Sequence, residues 1–335
     1  RVARKYRKMR SKVYAHRESP REIGELSLIF AEEVADIMER YPSVPSLQAM
    51  IRTTLITGLQ LTGKYQEALQ AAFKAEKVLS ECEGVSDLVI STIALTRVEC
   101  SLHLRDFEVG RQQVEKTRPL ILGKTINAIK LSEYAVLLGL QTGNYDYAYS
   151  EIVSLDRNTL GKLPSDKVSE IWLIFEAYIR FLILVGKIKV KEEDQRRKKF
   201  RLAKFMNAVP SYAANKRGRN IQIIVIQAMF FIVRGEHASF IDRTDALARY
   251  CTRYLKDNED LRHNCFFKLL IEVVKGNFRL ELRKRRIKGI LKKMTSQEAV
   301  EISKRSNAEI VPYEVLWRIL TEHLGYDSTE GLSLA

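Results

Sequence analysis

The sequence contains few residues that interrupt helices. Only 7 prolines and 16 glycines occur among 335 residues, which is below the average of globular proteins. Helix-favouring residues are abundant, and no stretch alternates apolar and polar side chains as a half-buried strand does. The composition therefore predicts an all-α protein. Its 46% of hydrophobic residues exclude wholesale disorder, because they suffice for a core.

Cysteine and histidine are scarce as well. The four cysteines are far apart and form no CxxC pair: Cys82, Cys100, Cys251 and Cys265. This spacing excludes a zinc ribbon or a disulfide scaffold and favours a reducing compartment, so we expect a cytoplasmic protein. Glu99 and His103 could share a helix face, but a catalytic zinc needs about three protein ligands. We expect neither a metal nor another cofactor.

The sequence also lacks a membrane span and a catalytic motif. The most apolar stretch, residues 221–233, is 13 residues long, whereas a spanning helix needs about 20. Gly123-Lys124-Thr125 resembles the end of a phosphate-binding loop, but Arg118 stands where the loop requires a glycine. GxGxxG, GxSxG, HExxH and DxDxDG are absent. We therefore expect a protein that is not an enzyme.

Positive charge is concentrated in three segments. Residues 1–17 hold eight Lys or Arg and no acid, residues 187–219 hold twelve basic and three acidic residues, and residues 275–293 hold nine and one. Such clusters attract nucleic acid, anionic lipid or an acidic protein, although they also solvate helix faces. The candidates for an anion or nucleic-acid site are Arg196, Arg197, Lys198, Lys199, Arg201, Lys204, Lys216, Arg217, Arg219, Arg283, Lys284, Arg285 and Arg286.

Similar turn sequences recur along the chain. They centre on positions 63, 105, 143, 186 and 235, at steps of 38 to 49 residues. Each step fits two helices with their connections, the unit of a helical-hairpin solenoid. The periodicity predicts helices over about 21–40, 46–61, 65–81, 87–103, 107–120, 127–141, 145–156, 166–185, 195–206, 219–234, 238–256, 259–275, 279–294 and 312–324.

The unit that begins at Gly63 resembles a tetratricopeptide repeat. Gly63-x-Tyr65-x-x-Ala68 has the spacing with which the second helix of that repeat opens, and Gly143-x-Tyr145-x-x-Ala148 matches again. The resemblance implies a right-handed α-solenoid of stacked antiparallel hairpins, with a concave groove for a partner protein or peptide. Counting from the turns places six residues in that groove: Thr53, Thr57, Thr96, Glu99, Lys130 and Tyr134. The Lys and Asn pattern that clamps a carboxylate in the family is absent.

Four segments of the second half carry a further resemblance: residues 200–212, 216–218, 253–256 and 309–313. With them the second half looks like an uncharacterised helical-repeat family from Bacteroidota. That likeness, and the start at Arg1 rather than Met, hint at an upstream region. We divide the chain into a basic segment (1–18), tetratricopeptide-like repeats (19–186) and divergent repeats with a terminal capping helix (187–335). The leading hypothesis is a non-catalytic scaffold or adaptor that binds a protein or peptide. The alternative is binding of RNA or a ribonucleoprotein through the basic clusters. The oligomeric state stays open.

Overall fold

Every regular element of the computed structural model is helical in the part of the chain that it describes, which is residues 20–121, 125–155, 166–190, 205, 218–256, 260–303 and 309–326. We number the helices α1 Pro20–Glu33, α2 Ala35–Arg40, α3 Pro45–Leu61, α4 Tyr65–Ser80, α5 Asp87–Leu104, α6 Phe107–Thr117, α7 Ile126–Thr142, α8 Tyr145–Ser154, α9 Asp166–Leu184, α10 Arg219–Val233, α11 His237–Tyr254, α12 Leu261–Lys275, α13 Lys284–Met294, α14 Gln297–Ser303 and α15 Tyr313–His323. Short 3-10 turns cover Arg118–Leu120 and Leu280–Arg283. The all-α prediction is confirmed.

Most helix boundaries agree with the sequence-based expectation to within three residues. The exceptions are informative. The helix expected over 21–40 is interrupted at Val34, and Pro119 turns the end of the helix expected over 107–120 into a 3-10 turn. The helix expected over 279–294 begins only at Lys284, because a 3-10 turn precedes it. The seven-residue helix α14 was not predicted, because it is too short to show a periodic pattern. The helix expected over 195–206 lies outside the described residues.

The recurring turns share one backbone conformation. All five expected positions have a positive φ: Gly63 (78°), Arg105 (57°), Gly143 (76°), Gly186 (73°) and Gly235 (69°). Two further turns follow the same scheme later in the chain, at Asn277 (49°) and Gly325 (84°). Glycine adopts this left-handed conformation without strain, whereas a residue with a Cβ does not. The same turn conformation therefore recurs beyond residue 235, once without a glycine at the left-handed position.

A hydrogen bond across five residues closes six of these seven turns. The amide that follows the left-handed residue donates to the carbonyl five positions earlier, as in the Schellman motif. The N···O distances are 2.8 Å for Lys64–Leu59, 3.0 Å for Asp106–Ser101, 2.8 Å for Lys187–Leu182, 2.9 Å for Glu236–Phe231, 2.9 Å for Phe278–Val273 and 3.0 Å for Tyr326–Thr321. Each helix that ends in this way leads into the following segment at a defined angle.

Small residues mark the crossing of the early hairpins. Five residues after the left-handed position lie Ala68, Gly110 and Ala148. A Cβ on Gly110 would stand 3.4 Å from that of Ser101, and a Cβ on Gly139 would stand 2.8 Å from that of Ala148. The two helices of these hairpins therefore approach closely.

Aromatic rings occupy the same crossing in the hairpin of α10 and α11. Phe231 and Phe240 stand at the equivalent positions and stack with their ring centroids 6.4 Å apart. Rings in place of small residues change the spacing of the helices, which is a physical reason why the repeat pattern weakens in the second half of the sequence.

The chain divides into two compact units, residues 1–138 and residues 139–335. In unit 1, α1 packs on α3, and α3, α4, α5 and α6 pack in order. Its core includes Ile56, Ala72, Leu79 and Ile93. In unit 2, α8 to α13 pack in chain order over the described residues, and α15 packs on α10. The boundary proposed after residue 186 rests on repeat regularity and stays a prediction.

Replacement of Arg105 tests the turn geometry. Arg105 adopts the left-handed conformation that the other early turns give to glycine. We expect Arg105→Gly to be more stable than Arg105→Ala by about 1 kcal/mol, because only the glycine removes the strain of the Cβ. Urea unfolding measures the difference. If the alanine variant were at least as stable as the glycine variant, the Cβ at position 105 would cause no strain in this turn.

Candidate functional site

The six expected groove residues lie on the first helices of three consecutive hairpins. Thr53 and Thr57 are on α3, Thr96 and Glu99 on α5, and Lys130 and Tyr134 on α7. Within each pair the spacing is three or four residues, which places both side chains on one side of a helix.

Glu99 links all three helices. The Gln60 side-chain amide on α3 donates to Glu99 Oε2 at 2.9 Å. From the other side, the hydroxyl of the buried Tyr134 on α7 donates to the same carboxylate. A charged acceptor that receives two donors is held firmly in place. Of the six candidates, the structure thus brings Glu99 and Tyr134 into contact.

Lys130 extends this arrangement. Its ammonium lies 2.8 Å from Glu133 Oε1 and 4.9 Å from the centre of the Tyr134 ring. The carboxylate and the ring face both attract the cation. Lys130 is therefore oriented by its own helix rather than free in solvent.

A second bridge connects the N-terminal ends of α5 and α7. The Asn127 side-chain amide donates to Ser91 Oγ at 3.0 Å and approaches Thr92 Oγ1 at 3.5 Å. The sequence analysis missed both Asn127 and Gln60. Continuing the stripe of groove positions by one turn, to Gln60 after Thr57 and to Asn127 before Lys130, would have found them.

The threonines are satisfied within their own helices. The hydroxyls of Thr53, Thr57 and Thr96 donate to the carbonyl four residues earlier, at 2.7, 2.8 and 3.1 Å. Thr57 is exposed and Thr96 is buried. We call the whole surface the first-helix face and define it as Thr53, Thr57, Gln60, Thr92, Thr96, Glu99, Asn127, Lys130 and Tyr134.

Phenols beside Glu99 keep their protons. Burial raises the pKa of Tyr134 well above its ordinary value, and the Glu99 charge raises it further. Burial and then the charges of Glu99 and Cys100 raise the pKa of Tyr65 to about 12. Tyr65 also stacks on His103, with the ring centroids 3.8 Å apart. Both tyrosines therefore remain neutral near pH 7, and Tyr134 remains a hydrogen-bond donor.

The predicted anion site is only partly within the described residues. Eight of its members lie outside them: Arg196, Arg197, Lys198, Lys199, Arg201, Lys204, Lys216 and Arg217. Arg219 begins α10 directly after Gly218, as expected, and its guanidinium contacts Glu170 at 2.6 Å. Arg283 contacts the buried Glu272 at 2.6 Å. These two arginines are therefore matched by carboxylates, whereas Lys284, Arg285 and Arg286 are exposed on α13.

A dense ionic cluster lies in the interior of unit 2. Arg262 is 2% exposed and Glu309 is 4% exposed. The guanidinium donates to Glu309 at 2.7 and 3.0 Å, to Glu314 at 2.8 Å from two nitrogens, and to the Met294 carbonyl at 3.0 Å. Glu309 also accepts from the amide of Tyr313 at 2.9 Å. All five guanidinium donors are thus used, and the cluster fixes the start of α15 against α12.

His263 completes this cluster. Its Nδ1 lies 2.6 Å from the Tyr313 hydroxyl. Burial, and then the Arg262 charge, lower the pKa of His263 to about 3. The neutral ring and its hydroxyl partner are both buried, so they contribute to packing rather than to exchange of protons with a substrate.

His263 makes stability depend on pH. The folded protein keeps this ring neutral down to about pH 3, whereas the unfolded chain protonates it near pH 6.5. The free energy of unfolding therefore decreases as the pH falls below 6.5. His263 accounts for at most about 1.4 kcal/mol of this decrease per pH unit. We expect His263→Gln to reduce the slope of unfolding free energy between pH 6.5 and 5, measured by urea unfolding. His323→Gln, at an exposed histidine, is the control, and equal slopes in the two variants would contradict the assignment.

Comparisons with known proteins complete the description of the site. Family models, curated proteins and solved structures were all searched without a match. Over the described ranges, no group of three or more His, Cys, Asp or Glu side chains could hold a metal ion. Within the same ranges no helix combines the length and the apolar character that crossing a bilayer requires.

Proposed function

We propose that the protein is a non-catalytic scaffold that binds a segment of a partner protein on the first-helix face. The observation that carries the proposal is the hydrogen-bonded series from Gln60 through Glu99 to Tyr134. It joins the first helices of three consecutive hairpins into one polar surface. A surface held by its own bonds loses little conformational entropy when a ligand binds.

The repeated left-handed turns support a tetratricopeptide-like arrangement. Turns at steps of about 40 residues, with small residues at the crossing of the early hairpins, are what a right-handed stack of such repeats requires. In that arrangement the first helices line the concave side. The first-helix face then becomes the inner surface of the groove.

The chemistry of the face favours a polypeptide ligand. The accessible groups are hydroxyls, a carboxamide and one ammonium, chiefly those of Thr57, Thr92, Asn127 and Lys130. Such groups donate to and accept from a peptide backbone. The charges of Glu99 and Lys130 are of opposite sign, so the face offers no excess of positive charge for a nucleic acid.

The thiols support a reducing compartment such as the cytoplasm. Cys100, Cys251 and Cys265 are buried and free. Burial, and then the Glu99 charge, raise the pKa of Cys100 to about 12, and burial raises the pKa of Cys251 to about 11. Protonated, buried thiols are poor nucleophiles.

Arginine substitutions on the face test the proposal. Peptides are first selected on the immobilised full chain from a random display library. Thr57→Arg with Thr92→Arg places two long cations on exposed positions whose hydroxyls donate to carbonyls of their own helices. At position 92 the change also removes the oxygen that the Asn127 amide approaches at 3.5 Å. We expect the selected peptides to bind this variant at least tenfold more weakly, or about 1.4 kcal/mol, by fluorescence anisotropy.

The control places the same charges on unit 2. Ser150→Arg with Thr252→Arg changes two exposed hydroxyl side chains that also bond within their own helices. This variant should bind the peptides as the unchanged protein does. Equal affinity of the first-helix variant and the control would contradict the proposed binding face.

A further inference from the structure

Helix α13 has two faces of opposite character. Ile287, Leu291 and Met294 are buried, and the helix packs on α12. Six basic side chains point into solvent, and we define the α13 cation face by them: Lys284, Arg285, Arg286, Lys288, Lys292 and Lys293. The first four also line an open depression where the helix begins.

No carboxylate among the described residues lies within ion-pair distance of these six cations. The acidic and basic neighbours are engaged with other groups. Arg283 contacts Glu272, and Glu281 accepts a hydrogen bond from the Tyr326 hydroxyl. Glu281 lines the same depression and its charge acts on Lys284, but one carboxylate leaves the face with a large excess of positive charge.

Gly289 is a second unusual feature of the same face. It lies inside the helix, where glycine is unfavourable, and a Cβ at this position would meet no atom within 4 Å. Packing therefore gives no reason for the absence of a side chain. The glycine lies four residues after Arg285 and four residues before Lys293, so it leaves bare backbone between the cations. Glycine at such a position permits the close approach of a ligand.

The residues around the α13 cation face indicate which class of anionic partner it can bind. A membrane-binding amphipathic helix inserts its apolar side into lipid, but here that side is buried within the unit. A stable interface with a folded protein would need apolar anchors, and beside the face Leu282 is the one large apolar side chain that is exposed among the described residues. Single-stranded nucleic acid binds by stacking on aromatic rings, and α13 contains none. Closely spaced cations that lack neighbouring apolar anchors and aromatic rings are the groups that contact the phosphate backbone of a duplex.

We propose that the α13 cation face binds the phosphate backbone of double-stranded nucleic acid without sequence preference. The face lies in unit 2 and does not depend on peptide binding by unit 1. Lys284, Lys288 and Lys292 form one row along the helix, at steps of about 6 Å. Gly289 lies between Arg285 and Lys293 in the adjacent row, and it lets a phosphodiester strand lie close to the helix backbone there.

Salt dependence tests this proposal on the full chain. Labelled 20-base-pair duplexes of DNA and of RNA, each of mixed sequence, are titrated at 50 to 200 mM NaCl and followed by fluorescence anisotropy. Replacement of Lys284, Lys288 and Lys292 by Gln should weaken binding of both duplexes at least tenfold at 50 mM salt. It should also lower the slope of log K against log salt by about 3, one for each phosphate that the variant no longer neutralises.

The matched control removes the same charge elsewhere. Lys74, Lys77 and Lys116 are exposed lysines of unit 1, and their replacement by Gln should leave the slope unchanged. Gly289→Gln changes no charge and should lower affinity at least threefold with an unchanged slope and unchanged circular dichroism.

Three results would overturn the proposal. The first is absence of duplex binding at 50 mM salt. The second is an equal slope for the lysine-row variant and its control, which would place the binding on other basic residues. The third is binding of polyglutamate, or of vesicles rich in phosphatidylserine, as tight as that of the duplexes. Unchanged affinity of Gly289→Gln would overturn the close approach at Gly289.

Discussion

The left-handed turn with its hydrogen bond across five residues is the constraint on which the architecture depends. It ends a helix and fixes the direction in which the chain leaves it, at Gly63 as at Gly325. The bond satisfies a carbonyl that the helix end would otherwise leave without a partner. Where the chain has Arg105 in place of glycine, the same geometry is kept in spite of a strain of roughly 1–2 kcal/mol. The packing on both sides of that turn must therefore outweigh the strain.

The first-helix face uses polar groups to hold its helices together, and we propose that it also uses them to bind a partner. Glu99 is half-buried and receives donors from α3 and α7. Because the carboxylate would lose solvation without these donors, the bonds stabilise one relative arrangement of three helices. The exposed Thr57, in contrast, bonds only to its own helix. A residue of this kind can be replaced without a change in helix packing.

Ionic groups have two distinct roles in unit 2. Arg262 is buried and all its donors are matched by Glu309, Glu314 and a carbonyl. Removal of one partner from such a buried network leaves an uncompensated charge, which typically destabilises a protein by about 3–5 kcal/mol. The cations of α13 face water and have no acidic partner among the described residues, so they contribute little to folding. Charge that does not stabilise a fold is available for binding.

Local features of this structure were accessible from the sequence, and long-range ones were not. Periodicity and turn residues placed most helices, and spacing alone identified Arg105 as a turn without glycine. The turn at Asn277 was missed because the chain has no glycine at that position. The links of Gln60 to Glu99, of Arg219 to Glu170 and of Arg283 to Glu272 join different helices. They depend on how helices pack against each other, which a single sequence does not specify.

Hydrogen–deuterium exchange of the full chain, with and without a selected peptide, tests the central claim most directly. The claim is that consecutive hairpins hold one polar surface for a polypeptide partner. The expected result is slower exchange on peptide binding in the first turns of α5 and α7 and along α3. Protection confined to the helices of unit 2 would contradict it.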